Sequence, residues 1–253
     1  MLHGVIFDLG STLIYSESDH QWGALLPRMR QDLLRQLQAQ GYLLDAPAFL
    51  ARFSANVAVF DAQRQTDWVE YTTTYILTQT LAELGAPAPP PEVLARALEA
   101  YYAYSETQWQ LMPGVHATLQ ALQAAGLRLG IISNAGDDGN VQRLIDQAGL
   151  RAYFDPILVS AAVGLRKPNP RIFARVLAAW GRAPAECVMV GDTLGADILG
   201  AQLAGLRHIW LTAHAGHPAN AAHAGNIVPE AEAASLPEIL PVLRAWGAPL
   251  PAA

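Results

Sequence analysis

Five short apolar runs punctuate the sequence, at 4–7, 129–133, 156–160, 187–191 and 208–212. Runs of this length without polar alternation suit strands buried on both faces. Between the later runs lie stretches with helical spacing. Ile172, Phe173, Val176, Leu177 and Trp180 fall on one face, as do Val141, Leu144 and Ile145. Strands alternating with helices join as a parallel sheet, and right-handed crossovers place helices on both of its faces. The expected fold is therefore α/β.

The first two runs are separated by more than a hundred residues, and from about 16 to 110 no strand-like run occurs. Four helical segments are expected there, the first over 22–37 and the others near 46–62, 66–84 and 91–107. The first is marked by Trp22, Leu25, Leu26, Met29, Leu33 and Leu37, and prolines at 87 and 89–91 separate the last two. The expected organisation is a core of residues 1–15 and 111–253 with an all-helical cap, 16–110, inserted after the first strand. The cap aromatics read as bundle core; Trp68, Tyr71 and Tyr104 are the ones weighed as pocket residues.

Composition narrows the class. With 52% hydrophobic and 15% charged residues in 253, the chain can bury a core without disulfides or a structural metal. The single cysteine, Cys187, argues against a thiolate zinc site and fits a reducing, cytoplasmic setting. Asp8 interrupts the first apolar run, and no later run nears the ~18 residues a membrane span needs. A net charge of −6 without a basic cluster speaks against nucleic acid, which leaves a small-molecule partner and a monomer or homodimer.

In such sheets ligands bind beyond the carboxyl ends of the strands. The first run ends in Asp8, Leu9, Gly10, Ser11 and Thr12, the second in Ser133 and Asn134, and the fourth in Gly191 and Asp192, with Asp197 five residues on. Lys167 opens the helix after the third. It is the only lysine among 16 basic residues, in a chain that otherwise uses arginine. Each feature alone has an ordinary reading as a helix cap or turn. Together they place carboxylates, a cation and a hydroxyl on one rim. Asp8 and Asp192 supply hard oxygen ligands suited to Mg²⁺. With that charge neutralised, the Asp8 carboxylate can attack a phosphoryl group and form an aspartyl-phosphate. Ser133 and the N–H groups of Leu9 and Gly10 can donate to phosphoryl oxygens, and Lys167 can offset the transition-state charge. Asp197 would hold Lys167 or a metal-bound water.

The order Asp8-x-x-x-Thr12, Ser133, Lys167-Pro168 and Gly191-Asp192-x-x-x-x-Asp197 resembles the four motifs of the haloacid dehalogenase superfamily, and the helical insertion resembles its cap. The resemblance implies a Rossmann-like core, an Asp8 nucleophile and a catalytic set of Asp8, Thr12, Ser133 and Lys167. It also implies phosphate contacts from Ser133, Asn134 and Lys167, and Mg²⁺ on Asp8, the Gly10 carbonyl, Asp192 and Asp197. A small phosphorylated metabolite is the expected substrate.

One departure stands out. Phosphatases of this family usually carry a second aspartate two residues after the nucleophile as general acid–base, where this chain has Gly10. Glu17, Asp19 and His20 are candidates for that proton, or simply cap the first cap helix. The alternatives left open are a 2-haloacid dehalogenase, which needs no Mg²⁺ but usually has an aromatic residue at the position of Gly10, and a binding protein that lost turnover. A phosphonate-cleaving relative needs a cap lysine, which is absent here. His214, His217 and His223 read as loop histidines, with His214 near the expected rim, and Asp137 and Asp138 as N-terminal charges on a helix starting near Asn140.

Overall fold

A computed structural model describes residues 1–16, 22–216 and 218–251. The core sheet holds β1 (Gly4–Phe7), β4 (Arg128–Ser133), β5 (Ile157–Val159), β6 (Cys187–Gly191), β7 (Arg207–Leu211) and β8 (Ala231–Ala233) in the order β5-β4-β1-β6-β7-β8. All neighbours run parallel. β1, β4, β5, β6 and β7 stand where the apolar runs put them. β8 was not expected: its Ala-Glu-Ala sequence carries no strand signal, and it pairs with β7 at the sheet edge.

Burial explains the runs. Val5, Phe7, Leu129, Ile131, Val188 and Val190 pack on one face against α5 (Val115–Ala124), α6 (Asp138–Gln147) and α11 (Ile239–Ala245). Ile6, Ile132, Cys187 and Met189 pack on the other against α8 (Pro170–Trp180) and α9 (Leu199–Ala204). Both faces are covered, so polar alternation has no place in these strands. The five apolar residues expected on one face of α8 are all buried, which contributes roughly 1.5–3 kcal/mol for each large side chain. The helix starts at the Asn169 cap with Pro170 behind it and stops at Gly181 in the left-handed region.

Trp180, at the end of α8, shows how sheet and helix fit. Its ring lies against β1 and β4 where Gly4 and Gly130 stand; a Cβ at either position would meet ring carbons at 2.4 and 2.9 Å respectively. Its indole N–H donates to the Asp155 carbonyl at 2.7 Å.

The segment after β1 passes through β2 (Ile14–Ser16) into α1 (Trp22–Ala39), α2 (Ala46–Asp67), α3 (Thr73–Glu83) and α4 (Pro91–Glu106), and returns through β3 (Trp109–Leu111). β2 and β3 pair antiparallel, an unexpected ribbon of three residues a side. The four helices have a core of their own around Leu33, Leu37, Phe49, Phe53, Leu77 and Tyr101. The expected breaks near 62 and 66 shift, because α2 runs on to Asp67. It ends only at Trp68, whose left-handed backbone (φ 56°) returns its N–H to the Arg64 carbonyl. Thr72 then caps α3 by accepting from the Tyr75 N–H. The short helices α7 (Ser160–Val163) and α10 (Pro218–Ala221) complete the fold.

Candidate active site

The chain runs from β1 outward to β4 and β5 and then returns to β6 on the other side of β1. The topological switch point is therefore at the carboxyl end of β1. Register fixes what meets there. Phe7 is level with Ile131 of β4 and Val190 of β6, and the Asp8 N–H donates to the Val190 carbonyl at 3.0 Å. Asp8, Ser133 and Asp192 thus emerge side by side from three adjacent strands.

After Asp8 the chain makes one tight turn in which the Leu9 carbonyl accepts from the N–H groups of Thr12, Leu13 and Ile14 at 3.4, 2.8 and 3.0 Å. Ser11 sits there at a left-handed φ of 54°, the kind of backbone cost that surrounding structure holds in place. The fully buried Thr12 places its hydroxyl 3.5 Å from Asp192 Oδ1. After β6, a single π-helical turn, Leu194–Ile198, folds Asp197 back over the strand end. A Cβ at Gly191 would stand 2.4 Å from the Asp197 carboxylate, so this approach needs glycine. The Thr193 N–H donates to Asp197 Oδ2 at 2.9 Å. The Asp192 carbonyl accepts from Trp210 Nε1 at 2.7 Å and Asn220 Nδ2 at 3.0 Å, which fixes the aspartate from behind.

Carboxylate oxygens of Asp8, Asp192 and Asp197 all lie within 4.8 Å of one another. Lys167 Nζ lies between two of them, 2.5 Å from Asp8 Oδ1 and 2.7 Å from Asp197 Oδ1. Burial drives the Asp8 carboxyl up to about 6, against the pull of Lys167. Burial, with the charges of Asp8 and Asp197, also raises Asp192 well above the usual carboxylate range. Burial works against the Lys167 ammonium, but Asp197 and Asp8 outweigh it and hold its proton more tightly than usual. Three carboxylates and one ammonium leave an excess of two negative charges in an all-oxygen donor set. A small divalent cation fits that excess.

Around this cluster opens a cavity of about 560 Å³. Asp8, Gly10, Ser133, Asn134, Lys167, Asp192 and Asp197 line it, so the strand-end residues expected from sequence converge. One of them differs in detail from the expectation. The Asn134 side chain is engaged with the Lys167 backbone, donating to its carbonyl at 2.9 Å and accepting from its N–H at 2.8 Å. It therefore sets the position of Lys167.

Sequence reasoning missed Arg64, Trp109, Arg166 and His223, which also line the cavity. The first two reach it from α2 and β3; the packing of His223 on Gly195 is likewise tertiary. Trp68, Tyr71 and Tyr104 do not line it; Tyr104 stacks under Arg28 instead. Asp137 caps α6 by accepting from the Asn140 N–H at 2.7 Å, as its position suggested. Glu17, Asp19, His20 and His217 lie outside the described residues. Among the described residues no helix is long and apolar enough to cross a membrane.

Comparison with known proteins agrees with this geometry. A family model described as haloacid dehalogenase-like hydrolase matches residues 2–205. The chain is 35% identical over 136 residues to the phosphoserine phosphatase of Thermus thermophilus, covering 54% of this chain and 53% of that protein. It thus spans about half the length of that curated relative. Among solved structures it resembles a 2-haloacid dehalogenase from Pseudomonas syringae (TM-score 0.69, 25% identity, covering 98% and 100% of the two chains). It also resembles an HAD phosphatase from Thermococcus onnurineus (TM-score 0.64, 23% identity, 98% and 99%). A parallel sheet with its polar cluster at the switch point defines the class, and the chain belongs to the haloacid dehalogenase-like hydrolases.

Proposed function

We propose that the protein is a Mg²⁺-dependent phosphatase acting on a small phosphorylated metabolite through an aspartyl-phosphate on Asp8. The observation that carries this reading is the gathering of Asp8, Asp192 and Asp197 around Lys167 with two negative charges in excess. Displacement of halide by an aspartate alone has no use for that surplus. The relative named phosphoserine phosphatase supports the same class.

Asp8, Asp192, Asp197 and the Gly10 carbonyl would hold Mg²⁺, which would neutralise charge between the nucleophile and the phosphoryl oxygens. Lys167 orients the Asp8 carboxylate. Its oxygen attacks phosphorus as the bond from phosphorus to the leaving oxygen breaks, and the leaving oxygen takes a proton from solvent water and departs as an alcohol. Water then attacks the phosphorus of the acyl phosphate, which releases inorganic phosphate and returns Asp8. Ser133, buried at the end of β4, is placed to donate to a phosphoryl oxygen, and Lys167 keeps its proton as a fixed positive charge. Residues 16–110 would cover the site as a cap.

The test is release of p-nitrophenol from p-nitrophenyl phosphate with Mg²⁺ and with EDTA, alongside release of chloride from 2-chloropropionate. Metal-dependent phosphatase activity that Asp8→Asn abolishes is expected. Chloride release that EDTA leaves unchanged would assign the chain to the dehalogenases instead.

A further inference from the structure

The cavity that holds the carboxylate cluster is also lined by positive charge. Arg64, in the last turn of α2, and Arg166, beside Lys167, both line the cavity, and both reach one carboxylate, Glu70. Arg64 Nε is 2.9 Å from Glu70 Oε1 and Arg166 Nη1 is 3.3 Å from Oε2. Ser160 Oγ lies 2.7 Å from the same Oε2 and is placed to donate to it. The Glu70 side chain is only 1% exposed. Arg64 also pairs with Asp61 and donates to the Tyr71 carbonyl, but Asp61 is 55% exposed, so solvent screens its charge.

Of the acids in contact with the two arginines, only Glu70 is buried, and Asp61 beside Arg64 is more than half exposed. Two guanidinium groups, 12% and 18% exposed, share one buried carboxylate. Neutralising Glu70 needs only one of them, and a buried surplus charge is costly unless something pairs with it. Arg166 feels this, since burial disfavours its charged form more than Glu70 restores it. A guanidinium fork matches the oxygens of a carboxylate or phosphate.

The pair also spans the seam between helical segment and core. The Glu70 N–H donates to the Gly164 carbonyl at 3.2 Å, and the Arg166 N–H to the Trp68 carbonyl at 3.1 Å. Beside Arg64 the Thr73 N–H donates to the Gly136 carbonyl at 2.8 Å, a further contact across the same seam. The two arginines face one cavity only while these contacts hold.

We propose that Arg64 and Arg166 form a subsite for a second anionic group of the substrate, so that the preferred substrates are phosphate esters also bearing a carboxylate or another phosphate. This rests on the phosphatase reading above and names the substrate class for the same site. A substrate with two anionic ends would contact the metal cluster with one and tie the seam together with the other.

Two matched pairs test it: 3-phosphoglycerate against glycerol 3-phosphate for a carboxylate, and fructose 1,6-bisphosphate against fructose 6-phosphate for a phosphate. The readout is the ratio of kcat/KM within each pair. At least one ratio should exceed about tenfold and shrink as salt is added. It should fall severalfold or more in Arg64→Gln and in Arg166→Gln, mainly through KM, and recover in part in Arg64→Lys. Ratios near one in the wild type, or unchanged in Arg64→Gln, would overturn the proposal. If no ester is turned over, the phosphatase reading fails. The subsite is then decided by calorimetric binding of the same four compounds to the Asp8→Asn protein, where equal binding within both pairs, or none, overturns it.

Discussion

Gly10 is the residue at which this chain departs most sharply from the phosphatases it resembles. A Cβ there would meet the Trp109 ring at 3.5 Å, an ordinary contact, so the position has room for a side chain. Restoring an acid with Gly10→Asp should raise kcat for alkyl phosphates by tenfold or more, since general acid–base help is typically worth ~10²–10⁴. Turnover of p-nitrophenyl phosphate, whose leaving group needs little protonation, should change less. Steady-state kinetics on both ester types checks this. An equal response would mean that the leaving group is protonated from elsewhere. Asp8, Ser133 and Asp192 were legible because each ends or directly follows a strand run, and parallel register delivers strand ends to one rim. Arg64 and Arg166 were not. They meet only through the docking of 68–73 on 164–166, a tertiary event that leaves no local pattern.

Among the elements, strand and helix signals were strongest where one apolar face or a two-sided burial fixes the residue types. That holds for β1, β4, β6 and α8. It fails for β8 and for the β2–β3 ribbon, three-residue pieces defined by pairing with a neighbour. The Trp180 slot gives a prediction at this scale. Gly130→Ala would push a Cβ to within 2.9 Å of the indole and 3.3 Å of the Pro156 carbonyl. Overpacking of this kind costs about 1–3 kcal/mol, to be read as a lower urea midpoint with unchanged slope. A stability loss below 0.5 kcal/mol would show that the β4–α8 contact yields more easily than its geometry implies.

Over the whole molecule, the carboxylate cluster couples metal, protons and stability. Asp8 has its folded-state pKa raised from 3.8 to about 6, and Asp192 shifts the same way. The metal-free protein therefore takes up protons more readily folded than unfolded. The Asp8 contribution to stability is fully present below about pH 4 and is lost as pH rises through about 6. Mg²⁺ competes with those protons, so its stabilising effect should grow over the same interval. Thermal melts with Mg²⁺ and with EDTA at pH 5 and pH 7.5 check this; the account expects the larger rise in Tm at pH 7.5.

Titration calorimetry of Mg²⁺ into EDTA-treated, dialysed protein tests the cluster most directly, run in buffers of different ionisation enthalpy. One ion per chain should bind, with more protons released near pH 6 than near pH 8, and Asp192→Asn should weaken binding at least tenfold. Phosphatase activity at full rate with no Mg²⁺ bound, or unchanged affinity in Asp192→Asn, would contradict the account.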